Sequence, residues 1–190
     1  MKVLYIIAGC NGAGKTTASQ TMLPEIWNCR EFVNVDEIAR GLSPFNSESM
    51  SIEAGRIMLK RIKELLKGDE SFAIETTLST RSYVRTIEEA HKNGFTVQLL
   101  FFWLPTPETA IERVRQRVAE GGHNIPTNII RRRYTAGIKN LFNLYMSIVD
   151  SWLLVENLNN PRVIIASGGN LSETKILNIQ IYNKVESYVR

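Results

Sequence analysis

Long hydrophobic runs are missing from this chain. The longest, Val97 to Leu104, is interrupted by Gln98 and falls well short of the roughly 18 apolar residues of a membrane-spanning helix. Cysteine is scarce as well. Cys10 and Cys29 are the only two and lack the spacing of a metal-ligand set, so a reduced, cytoplasmic protein is the expectation. Repeats, low-complexity tracts and linker-like stretches are absent, and residues 1–190 are expected to form a single domain with a continuous core. A broad basic face is also lacking. The formal charge is +4 and the pI about 9.1, which by itself would suggest nucleic acid. Yet between Pro107 and Lys139 seven basic residues (Arg113, Arg115, Arg117, Arg131, Arg132, Arg133 and Lys139) stand against Glu108, Glu112 and Glu120. That stretch holds the whole excess, and the rest of the chain is neutral. A local excess suits a compact polyanion, so neither a membrane nor a nucleic-acid partner is expected.

What the chain does have stands at its start, MKVLYIIAGCNGAGKTT. Ile7-Ala8-Gly9-Cys10 resembles a lipoprotein cleavage site, but the apolar run before it is too short for a signal segment. Gly9, Gly14, Lys15 and Thr16 instead fit G-x-x-x-x-G-K-S/T, after a strand-like run and before a helix-like one. Glycines let such a loop curl so that backbone N–H groups point at anionic oxygens. The expected ATP-binding set is Gly9, Asn11, Gly12, Ala13, Gly14, Lys15, Thr16 and Thr17. Lys15 would reach the β- and γ-phosphates and Thr16 would ligate Mg²⁺. A helix over about 14–23, stopped by Pro24, would aim its positive end at the same oxygens.

Five apolar runs read as strands: 3–8, 32–35, 72–74, 97–104 and 163–166. Helical patterns separate them, at about 47–67, 83–92, 107–120, 127–154 and 172–188. Alternation of this kind predicts an α/β fold, a five-stranded parallel sheet covered on both faces. In such sheets ligands lie beyond the carboxyl ends of the strands. Strand two ends in VNVDE, with Asp36 and Glu37; strand three ends in IETTLSTR, with Glu75, Thr76, Thr77 and Arg81. Asp36 has a simpler reading as a helix cap, and Glu75 as an ion pair with Arg81. Two carboxylates beside a phosphate loop suggest more. One takes a hydroxyl proton while the other orients the substrate or a metal-bound water.

Arg113 and Arg117 are an i,i+4 pair on one face of the helix at 107–120. A Gly-Gly break follows, then IPTNIIRRRY. Two arginine-bearing helices about a glycine hinge predict a lid over about 107–139 that closes on a triphosphate. His123 reads as a hinge residue or hydrogen-bond partner rather than a catalyst. Tyr134, Ile138, Leu141, Tyr145, Ile148 and Trp152 read as helical core.

AGCNGAGKTT, VNVDEIARGL, IETTLS and RVRQRVAEGGHNIPTNIIRRRYTAGIKNL together resemble the zeta toxin family of P-loop kinases. The resemblance implies a P-loop kinase fold with a helical lid, and transfer of the γ-phosphate of ATP, with Mg²⁺, to a hydroxyl. In characterised toxin members the acceptor is UDP-N-acetylglucosamine, and an antitoxin partner is implied in turn. By resemblance Asp36 is the catalytic base. Glu75 falls at an acceptor-binding carboxylate, with Thr76, Thr77 and Arg81 grouped beside it. Arg117 and one of Arg132 or Arg133 fall at phosphate-contacting lid arginines, and Lys15 completes the catalytic set. The three consecutive arginines leave that register open.

Other functions fit less well. A switch GTPase would need guanine selectivity, and the nearest candidate, NKVE at 183–186, has Glu where Asp is expected. A kinase acting on a nucleoside, another metabolite or a nucleic-acid 5′-hydroxyl would share the chemistry. A non-catalytic ATP-binding module would not need Asp36, Glu75 and the arginines together.

Overall fold

The computed structural model describes residues 1–122, 124–170 and 172–189. The reading of His123 therefore lies outside the described residues. Among the described residues seven strands form one sheet: β1 (Val3–Gly9), β2 (Glu31–Val33), β3 (Phe72–Thr76), β4 (Thr96–Trp103), β5 (Ser151–Glu156), β6 (Val163–Gly169) and β7 (Ser172–Ile176). Their order across the sheet is β2-β3-β1-β4-β5-β6-β7. The first five run parallel and the last two are antiparallel additions at one edge. β1 is buried at all seven positions and β4 at its last five, which is why both read as continuous apolar runs rather than alternating ones.

Among the described residues there are seven α-helices: α1 (Lys15–Glu25), α2 (Val35–Leu42), α3 (Ser51–Leu65), α4 (Tyr83–Lys92), α5 (Pro107–Ala119), α6 (Thr127–Asn140) and α7 (Ile179–Glu186). A 3₁₀ turn over Ser47–Met50 leads into α3. Local chemistry sets the helix starts. Thr106 Oγ1 accepts from Thr109 N ahead of Pro107 in α5, and Asn34 and Asn178 side chains cap α2 and α7. Pro24 sits inside the last turn of α1 rather than stopping it.

Three expectations are corrected. The sheet is mixed and seven-stranded, not parallel and five-stranded. The helix expected over 127–154 ends at Asn140, followed by a wide i→i+5 turn over Leu141–Tyr145, and 151–156 is strand β5. Trp152 and Val155 continue the helical spacing set by Ile148, and the unbroken apolar run 152–155 shows no polar alternation to betray a strand. The helix expected over 172–188 begins only at Ile179, because Ser172–Ile176 forms the exposed edge strand β7. Asn183–Glu186, the NKVE stretch, lies in α7.

α6 is packed firmly on the body. Ile130, Tyr134 and Ile138 are buried, Tyr134 OH donates to Leu104 O (2.7 Å), and Asn140 Nδ2 donates to Leu78 O (2.8 Å). Among the described residues no helix is long and apolar enough to cross a membrane.

Candidate active site

The turn between β1 and α1 is the phosphate-loop segment. Gly14 stands at the N-terminus of α1 with φ 78°, a left-handed conformation that favours glycine. Gly12 lies so close to α5 that a Cβ there would sit 2.7 Å from Ala110 O. On its other side the loop is braced from the β5 end, where Asn157 Nδ2 donates to Ala13 O (2.7 Å). Arg113 donates to Leu158 O (2.8 Å), tying α5 to the same segment.

Lys15 is only 6% exposed although it carries a charge. Its Nζ donates to Cys10 O (3.0 Å) and lies 3.6 Å from Glu75 Oε1. A buried ammonium with one carboxylate and one carbonyl is compensated here. Thr16 Oγ1 donates to Glu75 Oε2 (2.8 Å), and Asn34 Nδ2 donates to the same oxygen (2.9 Å). Glu75 thus pairs with Lys15, not with Arg81.

Asp36 is not the cap of α2. That position belongs to Asn34, whose Oδ1 accepts from Asp36 N (2.9 Å). The Asp36 carboxylate, in the first turn of α2, is exposed to the cleft. Two cavities meet there. One of about 380 Å³ is lined by Asn11, Gly12, Gly14, Lys15 and Glu75, among others. One of about 600 Å³ is walled by α2, the 47–51 turn, residues 124–126 and α6. Thr16, Thr17, Asp36 and Arg117 line both.

The three consecutive arginines separate cleanly, because successive helical residues point about 100° apart. Arg131 pairs with Glu108 on α5, away from the cleft. Arg133 donates to Asn11 Oδ1 (3.3 Å) and is half-buried. Burial holds its guanidinium below its ordinary pKa, Asp36 opposes that shift, and Arg132 adds to it. Arg132 is exposed and lines the larger cavity with Arg133. Arg133 is therefore the arginine brought to the phosphate loop.

Not every expected residue reaches the cleft. Thr76 Oγ1 accepts from Leu78 N (3.0 Å), Thr77 Oγ1 shares a hydrogen bond with Ser79 Oγ (2.9 Å), and Arg81 is exposed. None of the three lines either of these cavities. Asn34, Arg40 and Ile129 are among the residues that sequence reasoning passed over. Asn34 carried a signal, an Asn just ahead of the acidic first turn in NVDE; Arg40 and Ile129 carried none.

A MgATP complex brings a divalent cation to such a loop, and the donor set suits it. Among the described residues no cluster of three His, Cys, Asp or Glu forms a protein cage. Mg²⁺ seldom needs one, since phosphate oxygens and waters fill most of its positions. A hydroxyl hydrogen-bonded to a carboxylate, as Thr16 is to Glu75, matches that limited requirement.

Comparison with known proteins decides the family. Residues 1–163 match the Zeta toxin family. The chain belongs to that family. An uncharacterised protein of Haemophilus influenzae is 31% identical over 126 residues, covering 66% of this chain and 88% of the relative. The AvrRxo1-ORF1:AvrRxo1-ORF2 complex with sulphate ions superposes with a TM-score of 0.82 at 19% identity, over 99% of this chain and 64% of that one. The chain thus spans less than two thirds of that neighbour's length. The PezAT toxin–antitoxin system of Streptococcus pneumoniae gives 0.67 at 16% identity, over 99% and 78%. At these identities the structural likenesses speak for the fold, a P-loop kinase fold.

Proposed function

We propose that this zeta toxin family member is an ATP-dependent kinase that moves the γ-phosphoryl group of ATP to a hydroxyl of a small molecule. The observation that carries the reading is the sharing of Thr16, Thr17, Asp36 and Arg117 between the two cavities. A triphosphate in the smaller one would present its γ-phosphorus at that junction to a hydroxyl held in the larger one.

The residues then divide the work. The loop from Gly9 to Thr17 cradles the phosphates by backbone N–H groups and by the N-terminus of α1. Lys15 neutralises the β/γ oxygens. Asp36 takes the hydroxyl proton as the acceptor oxygen bonds to the γ-phosphorus and the bond to the β–γ bridging oxygen breaks, leaving ADP. Arg117 and Arg133 stabilise charge on the transferring group, and Arg133 is held for this by a helix already packed into the core. Thr16 would ligate Mg²⁺, with Glu75 orienting the hydroxyl. Bound with ATP, the ion offsets charge on the β- and γ-oxygens. Its place beside Lys15 and Thr16 favours this metal-side role for Glu75 over acceptor binding.

A nucleotide sugar such as UDP-N-acetylglucosamine is the preferred acceptor. The larger cavity is roomy enough for a sizeable polar molecule, Arg40 and Arg132 suit its phosphates, and Ile125, Pro126 and Ile129 offer an apolar wall. Location in the cytoplasm and pairing with an antitoxin are parts of the same proposal, the latter supported by the PezAT likeness. Incubation with ATP and Mg²⁺ against nucleotide sugars, nucleosides and oligonucleotides, read by mass, tests the reading. A phosphorylated nucleotide sugar is expected. Phosphorylation of a nucleoside or an oligonucleotide alone would replace the acceptor, and no phosphorylated product at all would leave an ATP-binding module.

A further inference from the structure

Asn34 lies between β2 and α2 as the N-cap of α2 and is only 4% exposed. As a cap it needs its carbonyl oxygen and nothing more: Oδ1 accepts from Asp36 N at 2.9 Å. Its other half is equally engaged, since Nδ2 donates to Glu75 Oε2 at 2.9 Å. These two partners fix which way the amide faces, because a flip would set oxygen against carboxylate and NH₂ against N–H. The strand register produces the meeting. Val33 pairs with Ile74 in the parallel β2–β3 ladder, so Asn34 stands beside Glu75 one position on.

We propose that Asn34 is a positioning residue for phosphoryl transfer. It ties the backbone that carries Asp36 to the carboxylate that orients Thr16, and so sets the acceptor side of the site in register with the nucleotide side. The inference rests on the kinase reading above. The hydrogen-bonded series runs from Asp36 N–H through Asn34 and Glu75 to the Thr16 hydroxyl, every bond at 2.8–2.9 Å. Ser or Thr would cap α2 about as well as Asn, but neither reaches Glu75. Without Nδ2, Glu75 keeps Thr16 and Lys15 as partners and gains freedom to rotate away from the geometry Thr16 needs. Residues that act through a neighbour in this way typically cost about 10–100-fold in activity or metal affinity when removed.

Asn34→Ser and Asn34→Thr separate the cap from the bridge. In both, the fold by circular dichroism and the affinity for ATP without Mg²⁺ by calorimetry are expected to stay within about threefold of wild type. The kcat for transfer should fall about 10–100-fold. If Asn34 acts through Glu75, the double variant Asn34→Ser/Glu75→Gln will be no slower than Glu75→Gln alone, within about threefold. Wild-type kcat in both single variants, or losses that multiply in the double variant, would overturn the proposal. So would a failure of both to fold, which would make Asn34 a structural residue only. Asp36→Asn run alongside keeps the two readings apart. If it is inactive while Asn34→Ser is normal, this inference fails and the kinase reading stands; if Asp36→Asn is fully active, Asp36 leaves the mechanism and this inference falls with it, and only absence of transfer by the wild-type protein overturns the kinase reading itself.

Discussion

Thr16, in the first turn of α1, meets Glu75, near the end of β3, its hydroxyl donating to Oε2 at 2.8 Å. The proton points at the carboxylate, so the lone pairs of the threonine oxygen remain for another partner. Glu75 in turn engages Lys15, Thr16 and Asn34, and these contacts support the proposed metal-side role over acceptor binding.

That placement predicts the behaviour of Glu75→Gln. The Mg²⁺ concentration for half-maximal activity should rise at least about tenfold, with ATP affinity in the absence of Mg²⁺ little changed. Titration of activity with Mg²⁺ checks it. A raised KM for the acceptor with an unchanged Mg²⁺ requirement would return Glu75 to acceptor binding.

The three arginines of α6 should behave differently from one another. Arg133→Ala is expected to lower kcat by about 10²-fold or more, as removal of a charge that acts on the transferring phosphoryl group does. Arg132→Ala should mainly raise the KM of an anionic acceptor. Arg131→Ala, which breaks only an exposed pair with Glu108, should leave steady-state kinetics near wild type. Equal losses in all three would show that the separation seen in the helix has no bearing on catalysis.

Gly137 brings α6 against the loop after β3. A Cβ there would lie 2.6 Å from Thr77 O, and backbone on both sides gives little. Gly137→Ala should destabilise the protein by about 1–3 kcal/mol, the usual cost of overpacking. Urea unfolding measures it, and a stabilised variant would mean that α6 is not seated as described.

Cys10 shapes the response to alkaline pH. Burial pushes its thiol up to about 11 from 9.0, against the smaller opposing pull of Lys15. Below about pH 9 the thiol is neutral in both folded and unfolded chains and adds no pH dependence. Between about 9 and 11 the unfolded chain loses a proton that the folded one keeps, so stability falls as pH rises. Urea midpoints should therefore drop more steeply over that window in wild type than in Cys10→Ala. Parallel profiles would contradict the burial argument.

Much of this architecture was legible in the sequence. The phosphate loop showed because glycine, lysine and threonine are needed there at fixed spacing. α4 was read at its observed bounds and α5 and α6 within a residue at their starts, since proline, asparagine and threonine mark helix ends chemically. β5 was not legible: Trp152, Leu154 and Val155 are all buried, and nothing in their order distinguishes such a strand from the end of a helix. β7 hid for the opposite reason, with every residue exposed. The arginine register and the tie between Asn34 and Glu75 depend on how α6 and β2 are seated, which pattern alone does not convey.

The central claim is that Asp36 serves phosphoryl transfer at the junction of the two cavities. Asp36→Asn keeps the shape of the side chain and leaves the Asn34 cap in place, but removes the proton acceptor. The direct measurement is transfer of phosphate from ATP to the acceptor by the folded Asp36→Asn protein, beside its ATP affinity by calorimetry. The account predicts affinity within about threefold of wild type and transfer slower by about 10²–10⁴-fold. Near-normal transfer by that protein would contradict it.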